Sequence, residues 1–367
     1  MNMKRKVYTI GAGLIAACMA AATASAQTYM VYEYGASAGA VSQVSVTNLA
    51  PNWVATGVRN GGGDLELITW ESTGTALVRK GSATTGAINN AGMATVALSP
   101  TRVITAVVDP YALVELTSWS VSSAGAVTVG SSMPGEYAKN VRMAKLDSNR
   151  VVTAVEDAGG ELYVSVWSVS SSGAITEESS TGGFTGATMV SLAAMSNSQV
   201  VTAICTSAGD LELDSWNISP TNAITHQHTN SAGAIFAVDI TAWADAGHVA
   251  TPVSNGSSKL EVIDWVVNPT TGAITRQSSA TVGGAGIVAA TTIGTLVFTA
   301  VQNSVGKVDA GVWGYSGSQI GQGASAKQEA ITAVAAAPLS TGPYSVTATV
   351  TTAGDLKVDV WNYFSIQ

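Results

Sequence analysis

The sequence predicts an all-β fold, a seven-bladed β-propeller of four-stranded blades whose N-terminal strand closes the last blade. Three observations carry this expectation: seven Trp residues at near-constant spacing, a Thr fourteen residues before each, and one surplus strand near the start of the chain.

The Trp residues are Trp70, Trp119, Trp167, Trp216, Trp265, Trp313 and Trp361, at spacings of 49, 48, 49, 49, 48 and 48. A fixed period of this length marks a repeat architecture. The matching Thr residues are Thr56, Thr105, Thr153, Thr202, Thr251, Thr299 and Thr347. Seven residues before the Trp stands Gly63, Gly160, Gly209, Gly306 or Gly354, with Ala112 and Ser258 as the exceptions. After the Trp comes a turn such as Gly173-Ala174-Ile175-Thr176, in which Asn222 replaces Gly once. Gly and Asn both tolerate the left-handed backbone of a tight turn.

Copy three shows the strands. Val151–Val155 is β-branched, Asp157–Gly160 is a hairpin turn, Leu162–Trp167 alternates, and Ala174–Glu178 follows a second turn. Strands of about five to seven residues are expected. A small-residue strand such as Met189–Ala194 should lie innermost, where blades converge. The four strands are lettered a to d from the axis outward. The chain stops after strand c of copy seven, while residues 29–34 form an extra strand at the other end. That segment stands where the missing d strand belongs, and its pairing would close the ring and remove open edges.

Residues 1–26 read as a secretory signal. Met1–Lys6 is basic, an apolar run from Val7 to about Ala22 follows, and Ala24-Ser25-Ala26 precedes Gln27. The run is short for a membrane span, which needs about 20 residues. Ile15-Ala16-Ala17-Cys18 also resembles a lipobox, so an envelope lipoprotein anchored at Cys18 is a second reading. Secretion or periplasmic location after cleavage near Ala26 is expected, with 27–367 as a single propeller domain. Beyond the leader only Cys205 remains, so no internal disulfide can form, and Cys205 reads as a core residue.

The leader holds three of the 16 Lys+Arg and none of the 24 Asp+Glu, which leaves the rest of the chain at −11. Such a balance argues against binding a phosphate backbone or anionic lipid. The expectation is no nucleic acid, no transmembrane span and a monomer.

The pattern Val-Thr-Ala-Val, Gly-x-Leu-x-Leu, Trp and Gly-Ala-Ile-Thr resembles repeats of uncharacterised secreted bacterial propeller proteins, over essentially all of residues 27–367. The resemblance implies fold and export and carries no activity. A Trp-Asp strand end, an Asp-box and a calcium loop are absent.

No catalytic motif stands out. The seven Trp residues read as inter-blade packing and the seven Thr residues as structural. His226-Gln227-His228 places two imidazoles at i and i+2 on one strand, but lacks a third ligand, so no metal and no cofactor is expected. Asp64, Glu161, Asp210 and Asp355 beside the hairpin Gly read as turn residues. The b–c and d–a loops share one face, and residues that break the repeat there are the candidate ligand contacts: Arg59, Asp109, Tyr111, Glu136, Tyr137, Asp157, Phe184 and Phe236. Of these, Asp109, Tyr111, Glu136 and Tyr137 are expected to cluster on blade two, with Met133–Tyr137 as an unusual d–a loop. The leading reading is a non-enzymatic binding module for a protein or carbohydrate ligand. The alternative is a polysaccharide lyase or hydrolase with an acidic axial pocket near Glu136 and Asp157.

Overall fold

Residues 27–366, apart from 244–246, 317–318 and 341, are described by the computed structural model. Residues 1–26, including Cys18, lie outside the described residues. Among those residues the regular structure is β-strand throughout, so no helix is long and apolar enough to cross a membrane.

The repeat folds as blades of four antiparallel strands. Blade three pairs Asn140–Lys145, Arg150–Glu156, Glu161–Val169 and Ile175–Thr185 in that order. Strands c and d are longer than expected, at nine and eleven residues here. Met133–Tyr137 is not a loop but the end of the d strand Val127–Tyr137. Pro134 is tolerated there because an outermost strand has one unpaired edge.

Three long strands carry the chain from one blade to the next without a break. They are Gln27–Ala50, Ile224–Val238 and Gln319–Leu339. The first closes the ring. Residues 27–40 pair antiparallel with the last strand, Asp355–Ile366, while residues 41–50 pair with Trp53–Asn60 of blade one. The closing pairing is thus longer than the six residues expected of it.

Burial follows the same logic. The core consists of seven apolar clusters, each a seam between two blades. Trp119 packs with Leu65 and Leu67, Trp167 with Val114 and Leu116, and Trp216 with Leu162 and Val164. Trp265 joins Leu211 and Leu213, Trp313 joins Leu260 and Val262, and Trp361 joins Val308 and Ala310. The seventh cluster puts Trp70 of blade one against Val358 and Leu356 of blade seven. Each Trp therefore covers the apolar face of the preceding blade's c strand, and the seventh seam joins the two ends of the chain.

All seven indoles are 0–1% exposed. A buried N–H needs an acceptor. Each donates to the Thr fourteen residues earlier in its own blade, at 2.8–3.0 Å. The repeated Thr is thus the acceptor that makes the repeated Trp affordable in the core. Cys205 is buried and free, with its thiol facing the Ile235 carbonyl.

The closing blade contains a charge cluster. Lys357 Nζ lies 2.7 Å from Glu329 and 3.4 Å from Asp359 Oδ2, and sits over the Tyr32 ring. Asp359 Oδ1 is buried without a hydrogen-bond partner. Burial pushes the Asp359 carboxyl up to about 7 against the opposing pull of Lys357, with Glu329 adding to the rise. An ordinary Asp in the unfolded chain titrates near ~4. Between those values the folded state binds more protons, so stability falls as pH rises, and the loss is complete above the folded value. The expected result is a wild-type urea midpoint that drops between pH 5 and pH 8. Asp359→Asn should flatten that part of the profile and raise the midpoint at pH 8. An unchanged profile in the variant would assign the dependence to other groups.

Candidate binding face

The b–c turns are built by one device. A side-chain oxygen ten residues before the Trp accepts backbone N–H bonds from the turn that follows. Asn60, Asp109, Asp157, Asn255 and Asn303 each accept two, and Thr206 and Thr351 each accept one. The residue seven before the Trp has positive φ in every blade, including Ala112 at 61° and Ser258 at 55°. The two departures from Gly therefore keep the turn and accept the strain.

This device accounts for two of the candidate contacts. Asp109 and Asp157 turn their carboxylates back onto their own hairpins, and Asp109 is buried. Arg59 is also committed. Its Nε donates to the Ile88 carbonyl at 2.9 Å and Nη1 to Ser42 Oγ at 3.0 Å, which staples the d–a crossover to blade one.

Glu136 and Phe184 occupy equivalent places, each seven residues beyond the d-strand residue paired with the Trp (Val129 and Glu177). Both side chains enter a seam. Glu136 accepts from Ser165 Oγ at 3.1 Å in blade three, and its second oxygen is buried without a partner. Burial raises its pKa, while its own backbone N–H and Ser165 pull it down and Glu177 pushes it up. Phe184 stands edge-on to Trp216 at 4.9 Å. Glu136 thus does not join an aromatic-plus-acid group on blade two.

The remaining candidate contacts are exposed aromatic side chains. Tyr111 is 81% exposed, Tyr137 68% and Phe236 58%. Tyr111 lies in the b–c turn of blade two, and Tyr137 ends the adjoining d strand opposite Leu113, so these two flank the start of one c strand. Phe236 lies at the entry to blade five. Sequence reading missed Val305, 72% exposed in the b–c turn of blade six. It occupies the turn position of Gly62 and Gly159, a signal available in the alignment.

Next to Phe236 is a cavity of about 240 Å³ between blades four and five, lined by Gly233, Asn255, Glu261 and Arg276 among others. Gly233 is the counterpart of Glu136 and Phe184, and its missing side chain leaves the seam open, with nothing within 4 Å of its Cβ position. Arg276 and Glu261 form an ion pair at 2.8 Å on its blade-five side.

Larger cavities open on the other face. One of about 470 Å³ lies at the lower mouth of the axis, lined by the ends of the a strands, including Ala144, Lys145, Ala194 and Thr292. Among its described lining residues, Lys145 is the one that is ionisable. Two more, of about 470 and 530 Å³, adjoin Arg102 and Arg150. Both arginines clamp the next blade: Arg102 donates to the Ser170 and Ser171 carbonyls, and Arg150 to Asn222 Oδ1 and the Asn197 carbonyl.

His226 and His228 do not share a face. A β-bulge between Ser215 and Trp216 leaves Gln227 unpaired. His226 meets Asp214 at 3.0 Å and packs on Phe184 of blade three, whereas His228 Nδ1 faces the Ile274 N–H of blade five. Among the described residues no group of three His, Cys, Asp or Glu could hold a metal ion.

No protein-family model matches the chain, and no curated protein sequence matches it. Solved structures do. The chain is similar to a chain of a mitotic checkpoint complex, with 14% identity, a TM-score of 0.62 and coverage of 97% of this chain and 98% of that one. It is also similar to the β-propeller domain of Cps50 (Swd1) from Myceliophteria thermophila, with 10% identity, a TM-score of 0.59 and coverage of 91% and 99%. A protein from Lactobacillus plantarum matches at 12% identity and a TM-score of 0.53, over 82% and 88%. At these identities the likeness is one of fold.

Proposed function

We propose that the chain is an exported, monomeric, non-enzymatic binding module that docks a protein ligand on its b–c/d–a face. The observation that carries this reading is the distribution of exposed apolar side chains. Among the described residues the four most exposed large hydrophobic ones, Tyr111, Val305, Tyr137 and Phe236, all stand on that face. The remaining ones are 39–40% exposed. Exposed aromatic anchors on a rigid frame suit protein contacts, because Tyr supplies large area at low entropy cost. The anchors sit on blades two, five and six, a span that suits a protein surface better than a short glycan. A structure solved within a checkpoint complex is among the similar ones, which agrees with a scaffold role. Export rests on the three-part leader.

The test compares residues 27–367 with the triple variant Tyr111→Ser, Tyr137→Ser, Phe236→Ser as baits against the native envelope and culture fluid. Partners held by the wild type should bind the variant at least about tenfold more weakly. The melting temperature should be unchanged, since all three side chains are exposed. Equal capture by both baits would refute the assignment of the face.

A further inference from the structure

The axis holds a charged residue that the repeat does not explain. Residues 142, 191 and 239 lie at one level of the inner strands, each opposite the residue that follows the repeated Thr: Ala154, Ala203 and Pro252. They are Arg142, Ser191 and Asp239, in blades three, four and five. The carboxylate is fully engaged. Asp239 Oδ1 accepts from Ser191 Oγ at 2.6 Å and from the Ile240 N–H at 2.9 Å, and Oδ2 accepts from the Ala290 N–H at 2.7 Å. It thereby ties three blades together and makes no ion pair with Arg142 within 4 Å.

Arg142 is only half served. Its Nη1 donates to Asn140 Oδ1 and to the Val141 carbonyl, both at 3.0 Å. Those acceptors lie toward the d–a end of the strand, so the guanidinium is directed to the mouth on the proposed binding face. Among the described residues, Nε and Nη2 have no hydrogen-bond or ion-pair partner. They form the edge of the guanidinium that grips the two oxygens of a carboxylate side by side. Burial pushes the Arg142 pKa below its ordinary value, with Asp239 pulling it back up. The residue is partly exposed although its strand is innermost and its flanks face blades, so solvent reaches it through the channel.

We propose that Arg142 is a carboxylate-receiving site at the axis of the propeller, gripping an acidic group through Nε and Nη2. This deepens the binding-face reading, but only the peptide arm of the test below depends on it.

The experiment uses residues 27–367 labelled with ¹⁵N-arginine and follows the Nε–H resonances of its six arginines. Sodium acetate replaces sodium chloride at constant ionic strength. One resonance should shift in a saturable way, and Arg142→Lys, which keeps the charge but loses the fork, should abolish that shift. Asp239→Asn removes the neighbouring negative charge and should tighten acetate binding several-fold, which keeps the proposal testable if Arg142→Lys does not fold. A tri-aspartate peptide forms the second arm. Tighter binding than acetate supports the site and assigns the carboxylate to a docked chain; equal or weaker binding supports the site for a free small acid. No saturable shift with either probe, or a shift that survives in Arg142→Lys, would overturn the proposal. The binding-face variants leave this titration untouched, so the two readings can fail separately.

Discussion

Removal of residues 27–40 should abolish cooperative folding. Twelve residue pairs join this segment to Asp355–Ile366. At roughly 1 kcal/mol net for each backbone hydrogen bond, its loss costs on the order of 10 kcal/mol, comparable with the whole stability of a typical domain. The segment also brings Met30 and Tyr32 against the cluster that contains Trp361. Without it, the edge of the last strand is open for pairing with other chains. The expected outcome is loss of a single sharp urea transition and growth of aggregates in sizing chromatography. A synthetic peptide of residues 27–40, added during refolding, should restore the transition. A truncated chain that melts like the wild type would contradict the ring.

The second large effect lies at the repeated Trp–Thr pair. Trp→Ala at any one of the seven positions should cost about 3–5 kcal/mol through cavity formation. The matching Thr→Val change is isosteric but leaves a buried indole N–H without an acceptor, at a cost of about 1–3 kcal/mol. Thr→Ser keeps the hydroxyl and should cost less than Thr→Val. Because all seven pairs have the same geometry, the ordering Ala, Val, Ser should hold in each blade. Urea denaturation of the three variants in blades two and five, at Trp119 or Thr105 and Trp265 or Thr251, measures this. A Thr→Val variant as stable as the wild type would show that the hydrogen bond contributes nothing net.

The architecture was readable because a blade repeats the same solution seven times. Trp spacing set the period, and the surplus strand at residues 29–34 pointed to the closing blade. The left-handed turn was readable even at Asn222, whose φ is 64°. What escaped was decided by one-residue irregularities. Simple alternation puts His226 and His228 on one face, but a bulge inserts Gln227 and sends them into different seams. Glu136 was read as a rim residue because Met133–Tyr137 looked like a loop. As part of a strand, that segment directs Glu136 inward.

The turn-closing side chains show a different lesson. Asn60, Asp109, Asp157, Thr206, Asn255, Asn303 and Thr351 stand at one repeat position, and their type alone implies a side-chain-capped turn. That column marks Asp109 and Asp157 as turn-capping residues from the sequence alone. Arg142 was not legible. Its neighbours in the repeat are small or polar, and only the register of the inner strands places it at one level with Ser191 and Asp239. Surface chemistry fared better where exposure follows from turn position, as for Tyr111.

Closure of the ring is tested most directly by a cross-link between the chain ends. Tyr29 and Phe364 are register partners with their rings stacked 5.5 Å apart, and both lie at the outer end of the closing pair. Cβ atoms of facing residues on antiparallel strands are about 4.5–5.5 Å apart, close to what a disulfide needs. With Tyr29→Cys and Phe364→Cys in one chain, mild oxidation should give a monomer of raised electrophoretic mobility that reverts on reduction. Cross-linked dimers, or monomers in which both thiols stay free, would contradict a propeller closed by its first strand.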